Sequence, residues 1–233
     1  MSVEELAGLD GLDNATPMSE GAGEPTQSTS VASLSRRLWE LDWSRYLPWR
    51  FEGIDVVHSS FDGALPFVQA HYAAIFEAES RASRFLADPM TEPKKRFCRE
   101  MDVFLFQEGG ATVGVLMSHP LDWSTYYMRS AAFVPEFRGK NLLSRCVEAT
   151  YEPLRAAGVE RVEVECAASN AVVIRMLAGL GFAISSTANS ERFGAVVRFT
   201  KFLREEAETA FLRQFCAVSM QRVRAPLEER RRS

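Results

Sequence analysis

The stretch that decides the fold is Phe133-Val-Pro-Glu-Phe-Arg-Gly-Lys-Asn-Leu-Leu-Ser144. Its apolar beginning ends a predicted strand, a polar loop follows, and an amphipathic helix starts directly afterwards. The N-terminus of a helix offers unpaired backbone N–H groups and a partial positive charge, so it favours an anion. In the loop, Gly139 allows a ligand to approach the backbone closely, and Arg138 and Lys140 add two full charges. Taken alone, the stretch is explained better by an ordinary strand-to-helix turn with two solvated basic residues, since short motifs recur by chance.

A second block lies further along the chain. Val164-Glu-Cys-Ala-Ala-Ser-Asn170 ends a predicted strand at a polar residue, and that residue opens a short helix. The helix closes with Leu180-Gly-Phe182. Two independent signatures in this order and context outweigh the chance explanation that either one alone would permit.

The hydrophobic period changes repeatedly along the rest of the chain. Alternating apolar residues predict strands, and an apolar residue at every third or fourth position predicts a helix. Glu108-Gly-Gly110 is a tight-turn signal that joins two strands into a hairpin. The predicted order is strand 54–58, a helix capped by Asp62, helix 80–87, strands 101–107, 111–117 and 126–134, helix 139–157, strand 161–166, helix 170–178, strands 182–186 and 195–202, and helix 204–218. This order indicates an α/β fold with helices on both faces of a sheet that contains antiparallel hairpins.

Together the two blocks resemble the GCN5-related N-acetyltransferase (GNAT) superfamily. The resemblance covers about residues 52–202 and is strongest over 130–183. It implies a mixed, mostly antiparallel sheet that splays between the strands 126–134 and 161–166, with an extra helix near the C-terminus. Acyl-CoA would lie in that split, and an amine of the acceptor would attack its thioester directly in a ternary complex.

The resemblance also implies which residues bind CoA. The backbone of Ala131, Ala132 and Phe133 would pair with the pantetheine arm, and the amides of residues 138–144 would hold the pyrophosphate. Asn170 would belong to the second half of the site. The expected cofactor-binding residues are therefore Ala131, Ala132, Phe133, Arg138, Gly139, Lys140, Asn141, Leu142, Leu143, Ser144 and Asn170.

The chain departs from the family pattern at several positions. Asn141 and Leu143 stand where the loop usually has small residues, and we expect Asn141 to preserve a turn of positive φ. Leu177 replaces a tyrosine that protonates the leaving thiolate in many relatives. Arg129 and Ser130 stand where a carboxylate often serves as the base. The family pattern therefore does not identify which residues act as the general acid and the general base.

The remaining candidates for proton transfer are Glu165, Tyr126 and His119. Glu165 shares a strand face with Glu163, although a carboxylate there equally often faces solvent or an arginine. Tyr126 and its neighbour Tyr127 point to opposite faces, so only one can enter the site. His119 lies in a predicted loop near the mouth of the split, where a lone histidine is more often a surface residue.

Several aromatic, cysteine and basic residues have simpler explanations. Cys166 is predicted to be a small buried hydrophobe, because no basic partner is adjacent in sequence. Trp39, Trp43 and Trp49 are typical of a packing arm. Residues 93–97 are predicted to be a solvated turn.

Charge and composition set the boundaries of the domain. Residues 1–35 contain six acidic residues, no Lys or Arg and no aromatic residue, and residues 14–35 are rich in Ser, Thr, Gly and Pro. We therefore predict a disordered acidic tail over 1–35, an acyltransferase domain over 36–218 and a flexible basic tail over 219–233.

Composition also excludes several classes of protein. The net charge of −4 gives no general attraction to nucleic acid, and no apolar stretch is long enough to span a membrane. The four cysteines form no C-x-x-C pair, which argues against a zinc module or a disulfide framework. We expect a cytoplasmic protein without a metal, without a secretory signal, and without nucleic-acid or membrane partners.

The predicted function is transfer of an acyl group, with acetyl favoured, from acetyl-CoA or another acyl-CoA to the amine of a small molecule or peptide. Two alternatives stay open. One is transfer of a longer acyl chain to an amino acid or peptide, and the other is a degenerate domain that acts as a CoA-binding sensor or a protein-interaction module. The acceptor cannot be identified from the sequence, and a homodimer is left open.

Overall fold

The computed structural model describes residues 33–80, 91–190 and 193–215, and the side chains of residues 72–80 and 215 are left out of that description. The predicted helix 80–87 and nearly all of both predicted tails lie outside the described residues. Within the described ranges, no helix is both long enough and apolar enough to cross a membrane.

The centre of the fold is one sheet of eight strands. Its strands are β1 (Trp49–Phe51), β2 (Ile54–Ser59), β3 (Asp102–Glu108), β4 (Ala111–Pro120), β5 (Thr125–Phe133), β6 (Arg161–Ala167), β7 (Ala183–Ser190) and β8 (Gly194–Phe202). Their order across the sheet is β1-β2-β3-β4-β5-β6-β8-β7. Only β5 and β6 pair in parallel among these strands, and the other neighbours pair antiparallel. The α/β fold with a mixed, mostly antiparallel sheet is therefore confirmed.

Six α-helices surround the sheet among the described residues. They are α1 (Leu34–Trp39), α2 (Phe61–Ser80), α3 (Glu92–Arg99), α4 (Leu142–Ala156), α5 (Ala171–Gly179) and α6 (Glu205–Phe215). Short 3-10 helices occur at Trp43–Arg45 and Pro135–Phe137. The helix α6 is the extra C-terminal helix, and it packs on the sheet through Phe211, whose ring lies 5.1 Å from that of Phe202 in β8.

Both faces of the sheet carry an apolar core, because side chains alternate between faces along each strand. In β3, Val103 and Leu105 join the core beneath α2 and α3. Phe104 and Phe106 join the opposite core, which α4 and α5 cover. The strand therefore reads as a continuous apolar run, since it is buried on both sides.

Residues 33–48 form an N-terminal arm that belongs to the packed domain. The domain therefore begins earlier than predicted. Helix α1 starts at Leu34, so Ser33 to Ser35 are not part of a tail. Ser35 is fully buried, and its hydroxyl donates a hydrogen bond to the buried carboxylate of Asp102. Further along the arm, Trp43 is 1% exposed and packs against Phe104 at 4.9 Å between ring centroids. The packing role predicted for the tryptophans agrees with this contact.

Two further local predictions differ from the structure, and one short strand was not predicted. Ser60, not Asp62, caps α2, because its hydroxyl accepts the backbone N–H of Gly63 at 3.1 Å. Residues 93–97 lie in the helix α3 instead of a solvated turn, and Cys98 anchors that helix in the core. The short edge strand β1 was not predicted, because three residues are too few to show an alternating hydrophobic pattern.

Candidate active site

The two central strands pair over only part of their length. The parallel ladder between β5 and β6 begins at Thr125 with Arg161 and ends at Met128 with Val164. Beyond that point β6 continues its pairing with β8 alone, as far as Ala167. The remainder of β5 therefore turns a backbone edge without a β6 partner toward an opening in the sheet, at the predicted position of the split.

A cavity of about 390 Å³ fills this opening. Its β5 wall is formed by residues 127–131, and its β6 wall by residues 164–167. Val68 and Met101 close it from the face of α2, while Leu143 and Val147 of α4 close it from the other face. The cavity thus passes through the sheet and joins the two faces at the split.

A bulge distorts β5 at the edge of the cavity. In the pairing of β4 with β5, Met117 faces Ser130 while Ser118 faces Met128, so Arg129 is an extra residue without a partner in β4. Because a bulge re-aims the side chains next to it, Arg129 stands on the cavity wall although it is exposed to solvent.

The loop before α4 leaves the start of that helix open. Gly139 and Asn141 both have positive φ, of 73° and 57°. Asn141 therefore provides the left-handed turn that was expected of it. It occupies the N-cap position without a side-chain hydrogen bond to the helix, and the first backbone N–H groups of a helix have no intrahelical partner. A site for an anion is therefore available at Leu142, Leu143 and Ser144.

The two basic residues of this loop are exposed and lightly held. Arg138 donates from Nε to the carbonyl of Phe133 at 3.0 Å, which ties the loop to the end of β5. The Nζ atom of Lys140 lies 4.3 Å from the centroid of the Phe137 ring. Within the described part of the chain neither residue forms an ion pair, so both charges are available to a ligand.

The second sequence block forms the start of α5. Asn170 caps this helix by accepting the N–H of Val173 at 3.2 Å, and it also lines the cavity. Leu177 is fully buried and lines the same cavity with its aliphatic side chain. Leu143 does so from α4, so the bulky residue in the loop is turned partly into the core and does not stand over the helix end.

The β6 wall carries a chain of ion pairs. Arg198 of β8 donates to Oε1 of Glu165 from Nε at 2.8 Å and from Nη2 at 2.6 Å, and its Nη1 lies 3.6 Å from Glu163. Arg161 lies 3.6 Å from both Glu163 and Asp122. The hydrogen bond to Glu165 raises the pKa of Arg198, with a smaller contribution from the charges of the two carboxylates. Glu165 is therefore in the cavity, but it is held by an arginine.

Tyr126 does not reach the cavity. It is 0% exposed and lies among the core residues beneath α4, where its hydroxyl donates to Asp102 at 3.0 Å. Burial, followed by the charge of Asp102, raises its pKa well above the usual value. This tyrosine holds the N-terminal arm and the sheet together, because Asp102 is also the acceptor for Ser35.

His119 is placed behind the cavity wall. It is 5% exposed, and its Nδ1 lies 2.8 Å from the carbonyl oxygen of Pro120, so this nitrogen carries the proton. Burial lowers the pKa of His119, and the charge of Arg129 adds to the lowering. Its ring contacts Tyr127 at 5.5 Å between centroids. The predicted loop position is in fact the end of β4.

Tyr127 is the tyrosine that lines the cavity. Its burial raises its pKa, and the charge of Glu165 acts in the same direction, while Arg129 and Arg198 oppose it. The phenol is therefore protonated at neutral pH and can donate a proton or a hydrogen bond. The alternation of the two tyrosines predicted that one of them would enter the site, and the packing of the other decides which.

The sequence matches the acetyltransferase (GNAT) family over residues 68–182. This range contains the whole of β5, the loop before α4, and the strand and helix that carry Glu165 and Asn170. A search among curated proteins found no match.

The fold is similar to those of solved acetyltransferases. A ribosomal-protein-S5-alanine acetyltransferase from Vibrio fischeri is 14% identical, with a TM-score of 0.52 over 68% of this chain and 98% of that one. A spermidine N-acetyltransferase from Vibrio cholerae is 11% identical, with a TM-score of 0.50 over 66% and 95%. An acetyltransferase from Salmonella typhimurium that modifies the N-terminal serine of a 50S ribosomal subunit protein is 12% identical, with a TM-score of 0.50 over 65% and 96%. At these identities the similarity concerns the fold.

Proposed function

The chain belongs to the acetyltransferase (GNAT) family and is an acyl-CoA-dependent N-acetyltransferase, and from this premise we propose that acetyl-CoA lies in the split between β5 and β6. The observation that carries the proposal is the end of the β5–β6 ladder at Met128 and Val164, with a cavity in the opening. A strand edge without a partner offers backbone donors and acceptors in a row. The backbone of Ala131, Ala132 and Phe133 would hold the amide groups of the pantetheine arm there.

The pyrophosphate would bind at the start of α4. The open N–H groups of residues 142–144 supply hydrogen bonds, and Arg138 and Lys140 supply charge. Positive φ at Gly139 and Asn141 lets the chain turn around the ligand, and an added Cβ at Gly139 would meet no atom within 4 Å. The loop therefore has room beside it for a diphosphate.

The reacting carbonyl would lie near Ala132, where the β5 backbone can donate a hydrogen bond to the oxygen that gains negative charge. Tyr127 is the phenol of the cavity wall and would supply the proton for the departing thiolate through ordered water, since it lies five residues along β5 from Ala132. The acceptor must react as a neutral amine, and its own ionisation provides that form as the pH rises. Glu165 is a second candidate for proton transfer, and its ion pair with Arg198 favours a structural role instead.

The experiment that tests this function measures thiol release from acetyl-CoA in the presence of a panel of amines. Calorimetric titration with CoA tests the binding site separately. Binding of CoA together with acceptor-dependent thiol release supports the proposal. A protein that does not bind CoA contradicts it, and one that binds CoA but acetylates no amine would be the degenerate sensor.

A second candidate is transfer of a longer acyl chain. It is favoured by one observation, namely that Val68 of α2 and Met101 extend the apolar lining of the cavity to the face opposite α4. A series of acyl-CoA esters of increasing chain length distinguishes the two. A maximum of kcat/KM at acetyl would assign the apolar wall to the acceptor, and a maximum at a longer chain would assign it to the acyl group.

A further inference from the structure

Arg129 stands out among the charged residues of the cavity because of where the chain places it. It is the extra residue of the β5 bulge, and it is the first residue beyond the last pair of the β5–β6 ladder. Arg129 lines the cavity at the point where the two strands separate, and it is exposed to solvent. This end of the cavity is opposite in chain direction to the loop that would hold the pyrophosphate.

The other cations near this end are already paired. Arg198 is bound by Glu165 and Glu163, and Arg161 is bound by Glu163 and Asp122. No carboxylate of the described residues forms an ion pair with Arg129. Its charge is nevertheless close to the site, since it contributes to the lowered pKa of His119 and opposes the raised pKa of Tyr127.

Part of the lining of the cavity that Arg129 borders is apolar. Val68, Met101 and Met117 line the cavity on the face of α2. The reacting carbonyl, which would lie near Ala132, is three residues along the strand from Arg129, or roughly 10 Å. A small amine can span much of that distance, and the flexible arginine side chain can cover the rest.

We propose that Arg129 binds a carboxylate of the acceptor, and that the acceptor is an apolar amino acid whose α-amine is acetylated. The inference rests on the proposed function, since it requires the amine to meet acetyl-CoA in this cavity. An unpaired guanidinium binds a carboxylate through two parallel hydrogen bonds, and it repels an acceptor that brings only positive charge. The apolar wall accommodates the side chain of the acceptor.

The test uses matched sets of three amines built on leucine, phenylalanine and methionine. Each set contains the free amino acid, its amide and the amine that lacks the carboxylate. The value of kcat/KM is measured by thiol release for the native protein and for Arg129→Gln, Arg129→Lys and Arg213→Gln. Arg213 is exposed on α6 and does not line the cavity, so the last variant is the control.

The quantity that decides is the preference for the free amino acid over the amine that lacks the carboxylate. We expect the native protein to prefer the amino acid, and Arg129→Gln to reduce this preference about 10- to 100-fold through KM. Arg129→Lys should retain part of it, because it keeps the charge but loses the paired geometry. Arg213→Gln should show the same preference as the native protein. The dissociation constant of CoA should be the same in all the variants.

A preference that is the same in Arg129→Gln and in the native protein overturns the inference while the proposed function stands. If CoA binds but no amine turns over, calorimetry with the CoA complex decides by the same comparison between the amino acid and its amide. Equal affinities, or no binding of either, then overturn the inference. If CoA itself does not bind, the proposed function fails and the inference fails with it.

Discussion

The two walls of the split are built on different principles. On the β6 wall, Glu163 and Glu165 meet Arg161 and Arg198, so each charge already has a partner within the protein. On the β5 wall, the strand edge beyond Met128 has no β6 partner, and Arg129 forms no ion pair within the described residues. The two walls face the same cavity, but the charged groups of one are paired within the protein and the polar groups of the other are not.

The difference indicates which wall binds substrate. Groups that satisfy one another inside the protein gain little from a ligand, whereas unpaired polar groups gain a hydrogen bond or an ion pair when the ligand arrives. We therefore propose that the β5 wall binds the substrates and donates the proton, and that the β6 wall supports the structure.

The largest expected effect is that of Tyr127→Phe on the β5 wall. Loss of the phenol should lower kcat by about 10²-fold or more, because a general acid typically contributes that much. Since burial raises the pKa of Tyr127 above the usual phenol value, the native rate should show no decline in the range where an ordinary phenol, with a pKa of about 10, ionises. The measurement is a pH–rate profile from thiol release.

The neighbouring tyrosine provides the control for that prediction. Tyr126→Phe removes a hydroxyl that faces the core, so it should lower the free energy of unfolding by about 1–3 kcal/mol and leave kcat nearly unchanged. Equal losses of kcat in the two variants would remove Tyr127 from the mechanism.

A smaller effect is expected from Arg138→Glu in the loop that continues β5. The change removes a charge-assisted contact with the pyrophosphate and adds repulsion, so binding of CoA should weaken by roughly 1–3 kcal/mol. Calorimetry with CoA measures it, with Arg213→Glu as the matched change on α6. If both variants bind CoA equally well, the pyrophosphate lies elsewhere.

On the β6 wall, Glu165→Gln should change kcat/KM by only a few-fold. The amide keeps an acceptor for Arg198, and Glu163 still compensates part of the arginine charge. The comparison of the two walls is contradicted if the loss reaches about 10²-fold and the acidic limb of the pH–rate profile disappears, because Glu165 would then be the base.

The smallest effect concerns the free energy of unfolding of the protein at acid pH, and it arises from His119 at the end of β4. Burial lowers the pKa of His119 below 6.5, and the Arg129 charge assists, although the Pro120 carbonyl and the Asp102 charge act in the other direction. The unfolded chain therefore takes up a proton near pH 6.5 that the folded protein does not take up until a lower pH. Because the unfolded state binds more protons in that interval, the free energy of unfolding should fall as the pH is lowered from 6.5.

Urea unfolding measures this dependence at several pH values from about 7.5 to about 5, a range that brackets the ordinary histidine pKa of about 6.5. His119→Asn should show a weaker dependence over that interval, since an asparagine does not titrate. An unchanged dependence in the variant would assign the effect to other groups.

Much of the site was visible in the sequence because its parts are local. The loop before α4 was predicted from a glycine, two cations and a helix start within a dozen residues, and the positive φ of Asn141 follows from the intrinsic tolerance of asparagine for that conformation. Asn170 was placed at the opening of α5, and it caps that helix. The strands β3 to β6 were predicted to within two residues at nearly every end, because each has its own hydrophobic pattern and its own turn signals.

What the sequence alone did not determine depends on contacts between distant residues. Helix α1 was missed because its anchor is a hydrogen bond from Ser35 to Asp102, 67 residues away. The position of Arg129 depends on how β4 pairs with β5. The residues of the bulge do not themselves indicate the register of that pairing.

The choice between the two tyrosines shows the same division. Period-two alternation in the sequence determined that Tyr126 and Tyr127 face opposite sides of the sheet. Only the tertiary structure decided which side is open, because one side is covered by the arm and α4 around Asp102, while the other lies beside the split in the sheet. Local physics sets the direction of a side chain, and the packing of distant elements decides whether that direction leads into a core or into a cavity.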